Sequence, residues 1–455
     1  MNKTLSRRKF LQVSAGLGML AGLGQFKIAN AAAPVNDYKA LVCLFMFGGN
    51  DGHNMVVPMD PTQYNAYKVG RQGLALGVNQ LLAINDASQG PFGFHYSMPE
   101  MQALYTSGRA AVMANVGMLV KPTLFANQSQ PNFPLPSQLR SHSDQVVQMQ
   151  TGQPDNSVST GWGGRCVDKM QTAYNYNAAT NFPVSIAMNS PALFCSGAVV
   201  QGTSIQPGNF MGQNAMSLYP ASAGTARKGA QQTIITTLNG NSIIDAANRS
   251  LATANALNPI LAGAAVGVNF QKPFPSTNLG NQMKEIARLI SLNSQLNVGR
   301  QVFFCSIGAF DTHSGQSYQQ QENMKEVSQC LDAFYQATVQ LGVEQQVTVF
   351  TMSDFGRTLQ PSGSGTDHGW GNHHLVVGGA VAGGKVYGRF PLMTNYANLN
   401  ATADDYSDNR GVMLPSSSLA QYGATLAQWY GAADSDLDGM FPTLPNFPVR
   451  NLGFI

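Results

Sequence analysis

Leu41-Val42-Cys43-Leu44-Phe45-Met46-Phe47 is an unbroken apolar run that stops at Gly48-Gly49-Asn50-Asp51-Gly52. A run without polar alternation suits a strand covered on both faces, as in parallel sheets flanked by helices. Further strands are predicted at residues 110–116, 302–307 and 346–352. Helical patterns fall at about 99–107, 143–149, 163–174, 281–296, 318–341 and 417–430, and a glycine-rich loop and two short strands follow Pro361. This alternation predicts an α/β fold with three layers, α/β/α, around a mostly parallel central sheet. Residues 195–276 break the rhythm with Gly, Ala, Asn and Gln. They read as an insertion or cap on one domain covering residues 32–455.

The first 31 residues form three zones. Ser6-Arg7-Arg8-Lys9-Phe10-Leu11 is basic and carries paired arginines, Val13 to Gly24 is apolar and glycine-rich, and Ala29-Asn30-Ala31 offers a cleavage site. This pattern predicts a twin-arginine signal, with the twin-arginine translocase as partner and the periplasm or the exterior as destination. The apolar zone is well short of the roughly 20 residues that a membrane span needs, and no later segment reaches that length. The chain has 26 basic and 23 acidic residues. Five of the basic ones (Lys3, Arg7, Arg8, Lys9 and Lys27) belong to the signal, so the remainder is close to neutral and a nucleic-acid partner is not expected.

The five cysteines show no CxxC and no zinc-ribbon spacing. Cys43 and Cys305 fall in predicted core strands, and a Cys166–Cys195 bridge is compatible with an oxidising compartment. Asp434-Ser435-Asp436-Leu437-Asp438-Gly439 imitates half of a calcium loop. Its twelfth position is Pro445 rather than a glutamate, which argues against an EF-hand.

Chemistry collects in the turns. There are seven histidines, and several stand beside acids: Asn50-Asp51-Gly52-His53, Phe310-Asp311-Thr312-His313 and Thr366-Asp367-His368-Gly369. Asp51, Asp311 and Asp354 each follow a predicted strand, so a parallel sheet can bring them to one edge. In an extended stretch Asp311 and His313 point to the same side. Imidazole with carboxylate suits zinc or manganese, and carboxylates alone suit calcium or magnesium. The alternative is that these acids cap loops and helices. Ser141, in Arg140-Ser141-His142-Ser143-Asp144, either caps the helix that follows or aims a hydroxyl at the same edge.

Taken together and in order, these turns resemble a bacterial, twin-arginine-exported family known as domain of unknown function 1501, placed in the alkaline phosphatase and sulfatase superfamily. The matching pieces are Phe47 to Gly52 with Val56-Val57-Pro58, Ser141-His142 with Gln150-Thr151-Gly152, and Gly161-Trp162-Gly163-Gly164-Arg165. Phe310 to His313, Asp354-Phe355-Gly356-Arg357-Thr358 and Gly365 to His373 follow. The resemblance implies an alkaline phosphatase-like fold and one or two divalent metal ions (zinc, manganese, calcium or magnesium). It implies that Asp51 and Asp354 bind one ion, that Asp311, His313 and His368 bind a second, and that Ser141 is the nucleophile.

Two departures stand out. Phe355 occupies the place of a metal-binding histidine, and the segment before Ser141 lacks the Cys-x-Pro-Ser-Arg run from which sulfatases make formylglycine. The resulting expectation is a metal-dependent hydrolase of phosphate or sulfate esters, small-molecule or polysaccharide. Arg357, or Arg140, would stabilise transition-state charge. The alternative is a metal-binding exported scaffold that has lost turnover. Changing Arg7 and Arg8 together to lysine is expected to leave precursor in the cytoplasm. Cell fractionation of the double variant tests this, and normal export would refute the signal reading.

Overall fold

The computed structural model describes residues 37–174, 182–208, 220–237, 268–400 and 402–455, with isolated positions between 244 and 255. The predicted signal and much of the 195–276 span lie outside the described residues. In chain order the first strands are β1 (Lys39–Met46), β2 (Val56–Pro58), β3 (Leu82–Asp86), β4 (Gly90–Phe94), β5 (Ala110–Gly117) and β6 (Ser185–Met188). They continue as β7 (Thr203–Ile205), β8 (Arg300–Ile307), β9 (Val347–Ser353), β10 (Asn372–Gly378), β11 (Val386–Tyr387) and β12 (Ser417–Ser418).

The main sheet has the order β11-β5-β10-β9-β1-β8-β6-β7, with β12 beside β5. β1 runs parallel to β8 and β9, and β6 runs parallel to β7 and β8. β10 is antiparallel to β5 and β9. A small antiparallel sheet, β2-β4-β3, stands apart.

The helices are α1 (Gly52–Met55), α2 (Pro61–Arg71), α3 (Pro99–Thr106), α4 (His142–Thr151), α5 (Trp162–Tyr174) and α6 (Ala221–Thr236). They continue as α7 (Asn278–Ser291), α8 (Asn293–Leu296), α9 (Gln316–Gln340), α10 (Leu419–Tyr430) and α11 (Asp434–Met440). α3, α7 and α9 pack together on one face of the sheet, and α5, α10 and α11 on the other. The result is three layers, α/β/α. Central β1 is therefore sealed on both sides, and residues 40–46 are fully buried, which explains its unbroken apolar run.

Local signals set the helix ends. Pro99 opens α3 with its preset φ. Ser418 and Gln421 form a reciprocal cap on α10, with bonds of 3.1 and 2.9 Å. Gly152 ends α4 at φ 68°, a conformation glycine adopts without steric cost.

The topology gathers four loops. Met46 pairs with both Ile307 and Ser353, so β1, β8 and β9 end level with one another. Antiparallel β10 starts at that same edge, which brings in the loop before Asn372. The loops after residues 46, 307 and 353 and the loop 365–371 therefore meet in one place.

Several features differ from the sequence reading. β6 and β7 are strands of four and three residues, too short to show a period. β7 lies inside the 195–276 span, so that span begins by completing a sheet edge. The 281–296 helix is divided at Leu292 into α7 and α8. Asp434 to Gly439 is helical, and its acids pair with Lys169 and Arg450. Cys166 and Cys195 are both buried and unbridged; the Cys166 thiol faces the Met440 sulfur at 3.9 Å instead.

Four imidazoles are buried in this scaffold. Burial lowers His53 and His95 to about 4 and His374 to about 3, and holds His373 well below its usual value. The unfolded chain takes up protons at these groups below about pH 6.5, whereas the folded chain resists them. The stability they contribute is thus complete above pH 6.5 and is lost as pH falls toward 4. Denaturant unfolding with chelator present is expected to show stability falling across that window; a flat profile would contradict it.

Candidate metal centre

The gathered loops bring three imidazoles to one carboxylate. Asp311 follows β8, His313 lies two residues on, His368 comes from the loop before β10, and His142 opens α4. One donor atom each from His142, Asp311 and His368 lie within 4.8 Å of one another. His142 Nε2 is 3.1 Å from His368 Nε2 and 3.4 Å from Asp311 Oδ2. His313 Nε2 is 3.0 Å from both His368 Nε2 and Asp311 Oδ1.

The opposite ring nitrogens explain why the Nε2 atoms face inward. His368 Nδ1 lies 2.7 Å from the Arg140 carbonyl oxygen, which can only accept, so Nδ1 carries the proton and Nε2 keeps its lone pair. His142 Nδ1 meets Asp354 Oδ2 at 2.7 Å. His313 Nδ1 faces Asp367 Oδ1 at 3.4 Å. An acceptor behind each imidazole is the arrangement that commonly fixes the tautomer and orientation of a metal-binding histidine. Tetrahedral zinc with bonds of about 2.0–2.1 Å separates neighbouring nitrogens by about 3.3 Å, close to the spacings here. The donor chemistry and spacing therefore fit a divalent ion held by His142, Asp311 and His368, with His313 beside them.

Charge is balanced around the cluster. The Asp354 hydrogen bond, against partial burial, raises His142. Burial lowers His368. At Asp311 partial burial works upward, but the Arg357 hydrogen bond and charge outweigh it and hold the carboxyl below its usual range. The side is open: the Asp311 and His313 side chains are 46% and 48% exposed.

Arg357 is fully buried behind Asp311. Its Nε donates to Gly49 O at 2.9 Å and its Nη1 to Thr366 O at 2.9 Å. Its Nη2 is shared among Gly48 O, Phe310 O and Asp311 Oδ1. All of its nitrogens are engaged in joining loops. Gly48 and Gly49 have φ of 113° and 83°, and a Cβ there would lie 2.4 Å from Asp311 N and 2.6 Å from the Phe355 ring. Only glycine permits this approach. Phe355 lies with its ring centroid 4.8 Å from those of both His142 and His368, forming the floor on which they rest.

Of the residues singled out in the sequence, Asp311, His313, Asp354 and His368 come together. Asp354 touches the ring of His142, and its other oxygen accepts from Gly48 N at 3.1 Å. Asp51 lies apart, paired with buried Arg71 and bonded by Gln316. Arg71 also holds Asn54 Oδ1, Thr358 O and Leu359 O at 2.7–2.9 Å. Ser141 is the N-cap residue of α4, but its hydroxyl makes no cap bond. It contacts Asp144 Oδ2 at 2.5 Å and Ser143 Oγ at 3.2 Å. The same turn aims His142, rather than Ser141, at the cluster. His142 had a sequence signal in the Ser141-His142 pair, whereas Arg71 sits in an ordinary helix end with none.

Residues 262–406 match a family described as a protein of unknown function, DUF1501. That span includes Asp311, His313, Asp354, Arg357 and His368. A comparison with curated protein sequences finds no match. Similar solved structures include Ps i-CgsB, at 10% identity and TM-score 0.35, covering 90% of this chain and 77% of that one. The C-terminal periplasmic domain of EcEptC from Escherichia coli matches at 10% identity and TM-score 0.34, covering 92% and 91%. The PsFucS1 sulfatase from Pseudoalteromonas sp. matches at 11% identity and TM-score 0.32, covering 90% and 78%.

Asp311→Ala and His368→Ala are each expected to lower bound zinc and thermal stability together, by mass action. Asp354→Asn should weaken zinc about 10–100-fold through the orientation of His142. Asp51→Asn should leave zinc stoichiometry intact while destabilising the fold, because it leaves Arg71 buried and unpaired. Metal analysis with calorimetry checks all four; zinc loss in Asp51→Asn would make that residue a ligand.

Proposed function

We propose that this chain is an exported, metal-dependent hydrolase of phosphate or sulfate esters. The observation that carries the metal is the inward set of Nε2 atoms around Asp311, each with an acceptor at its opposite nitrogen. Solvent exposure on one side favours a working ion over a purely structural one, since structural sites are closed. The ester class rests on the sequence resemblance, and export rests on the Arg7-Arg8 head. Among the described residues no helix is long and apolar enough to cross a membrane.

A divalent ion at His142, Asp311 and His368 would act as a Lewis acid toward the ester oxygen. The chain's residues have separate duties. Asp354 and Asp367 hold the rings of His142 and His313. Arg140 and Arg410 stand at the rim, each neutralised by its partner, Asp408 or Asp367, and offer guanidinium N–H donors to an anionic substrate. Ser141 precedes His142 directly and is the candidate nucleophile on the sequence resemblance, although its hydroxyl is turned to Asp144 and not to the cluster. Its hydroxyl already donates to Asp144, whose other oxygen is held by Asn156 at 2.6 Å. The hydrogen bond from Ser141, with those from Ser143 and Asn156, outweighs a small opposing desolvation and leaves Asp144 below its usual range. Asp144 is therefore an ionised acceptor for the Oγ proton. Attack by Oγ would release the alcohol and leave an ester on serine, which water then hydrolyses.

One observation favours a second reading, a metal-binding protein without turnover. Arg357, expected to face the transferred group, has its nitrogens occupied by carbonyls and Asp311. The test compares wild type and Ser141→Ala at matched zinc content on 4-nitrophenyl phosphate and 4-nitrophenyl sulfate. The hydrolase reading expects the variant to lose at least about 10³-fold in kcat. Equal nonzero rates would remove Ser141 from the mechanism, and no turnover by wild type would favour the second reading.

A further inference from the structure

A cavity of about 540 Å³ opens between residues 72–74, 315–318 and 361–364. Small-molecule sites commonly fall between about 300 and 1,000 Å³. Two of the three walls continue into the loops of the metal centre, and the third adjoins the separate Arg71–Asp51 pair. Gly315 follows His313 by two residues, Ser364 precedes His368 by four, and Gln72 follows Arg71, the partner of Asp51. The walls are fixed to one another: Gln316 N donates to Ser364 O and Thr366 N to Thr312 O, both at 3.0 Å. Gln72, Gly315 and Gly363 hold left-handed turns at φ 53°, 60° and 64°, which curve the chain around the hollow.

The lining has a consistent chemistry. It holds no carboxylate, ammonium, guanidinium or imidazole. Gln72 and Ser317 offer an amide and a hydroxyl. Ser364 Oγ accepts from Gly315 N at 3.1 Å and keeps its own hydrogen for donation. Tyr318 adds an aromatic ring that is 71% exposed. The charged rim of the metal centre, with Arg140, Arg410 and Asp408, belongs to other segments. A charged group and a neutral group would thus be received by different walls.

We infer that this cavity receives a neutral sugar, the part of the substrate that carries the ester group. A sugar presents C–H faces to an aromatic ring and hydroxyls to amides and serines, and it needs no counter-charge. A second anionic group would find no cation in the lining. The assignment of the sugar as ester carrier rests on the hydrolase reading; the sugar site itself is testable without turnover.

The experiment is saturation-transfer NMR on zinc-loaded full chain with cellobiose, maltose, lactose and chitobiose. At least one sugar should receive saturation. That transfer should fall at least fivefold in Tyr318→Ala and in Ser364→Trp, which fills the cavity, and persist in Asp311→Asn. Thermal unfolding and zinc content, unchanged in the two cavity variants, exclude a folding defect. Absence of transfer to all four sugars in wild type overturns the inference, as does transfer that survives both cavity variants. Sugar binding by a protein that hydrolyses no ester would keep the sugar site and remove the hydrolase reading.

Discussion

The Arg357 guanidinium joins Gly48 and Gly49 after β1, Phe310 and Asp311 after β8, and Thr366 before β10. A buried cation is costly unless its donors all find acceptors. Here the acceptors are mostly backbone carbonyls, so the requirement falls on chain paths more than on side chains. The loops must converge for the charge to be tolerated, and their convergence sets Asp311 where the imidazoles meet. Glycine at 48 and 49 removes the Cβ atoms that would block this approach. The fold brings the strands level, and Arg357 brings their loops together.

Much of this was legible in the sequence for physical reasons. The apolar run of β1 needs cover on both faces, which implies helices on both sides of a parallel sheet. Acids placed just beyond strand ends were brought to one edge because parallel strands share a direction. The approach of Asp311 and Asp354 was readable on these grounds, whereas the grouping of His313 and His368 with Asp311 came from the family resemblance. β6 and β7 were not, because strands of four and three residues carry no period. The duty of Arg357 was hidden because a buried and a substrate-facing arginine have the same letter. The separation of Asp51 from the cluster was hidden too, since it depends on Arg71 at the far end of α2.

Phe355 illustrates how one residue type changes what its neighbours do. An imidazole at this position could offer a ligand, whereas a phenyl ring can only pack. It packs against His142 and His368 together, and Asp354 is left to orient His142. The site accordingly draws its nitrogen donors from two loops and the start of α4. The cavity lined by Tyr318 grows out of two of the same turns, so its shape is coupled to the positions of His313 and His368.

The candidate ligands stand far apart along the chain, at residues 142, 311, 313 and 368. No short peptide segment contains the set, so an unfolded chain has little local capacity to capture an ion. Arg357 offers Asp311 a permanent internal counter-charge, and the carboxylate is positioned whether or not anything else is bound. The scaffold is preorganised, with much of its ordering entropy spent when the loops close around the guanidinium. Ion uptake by the finished fold then calls for little refolding.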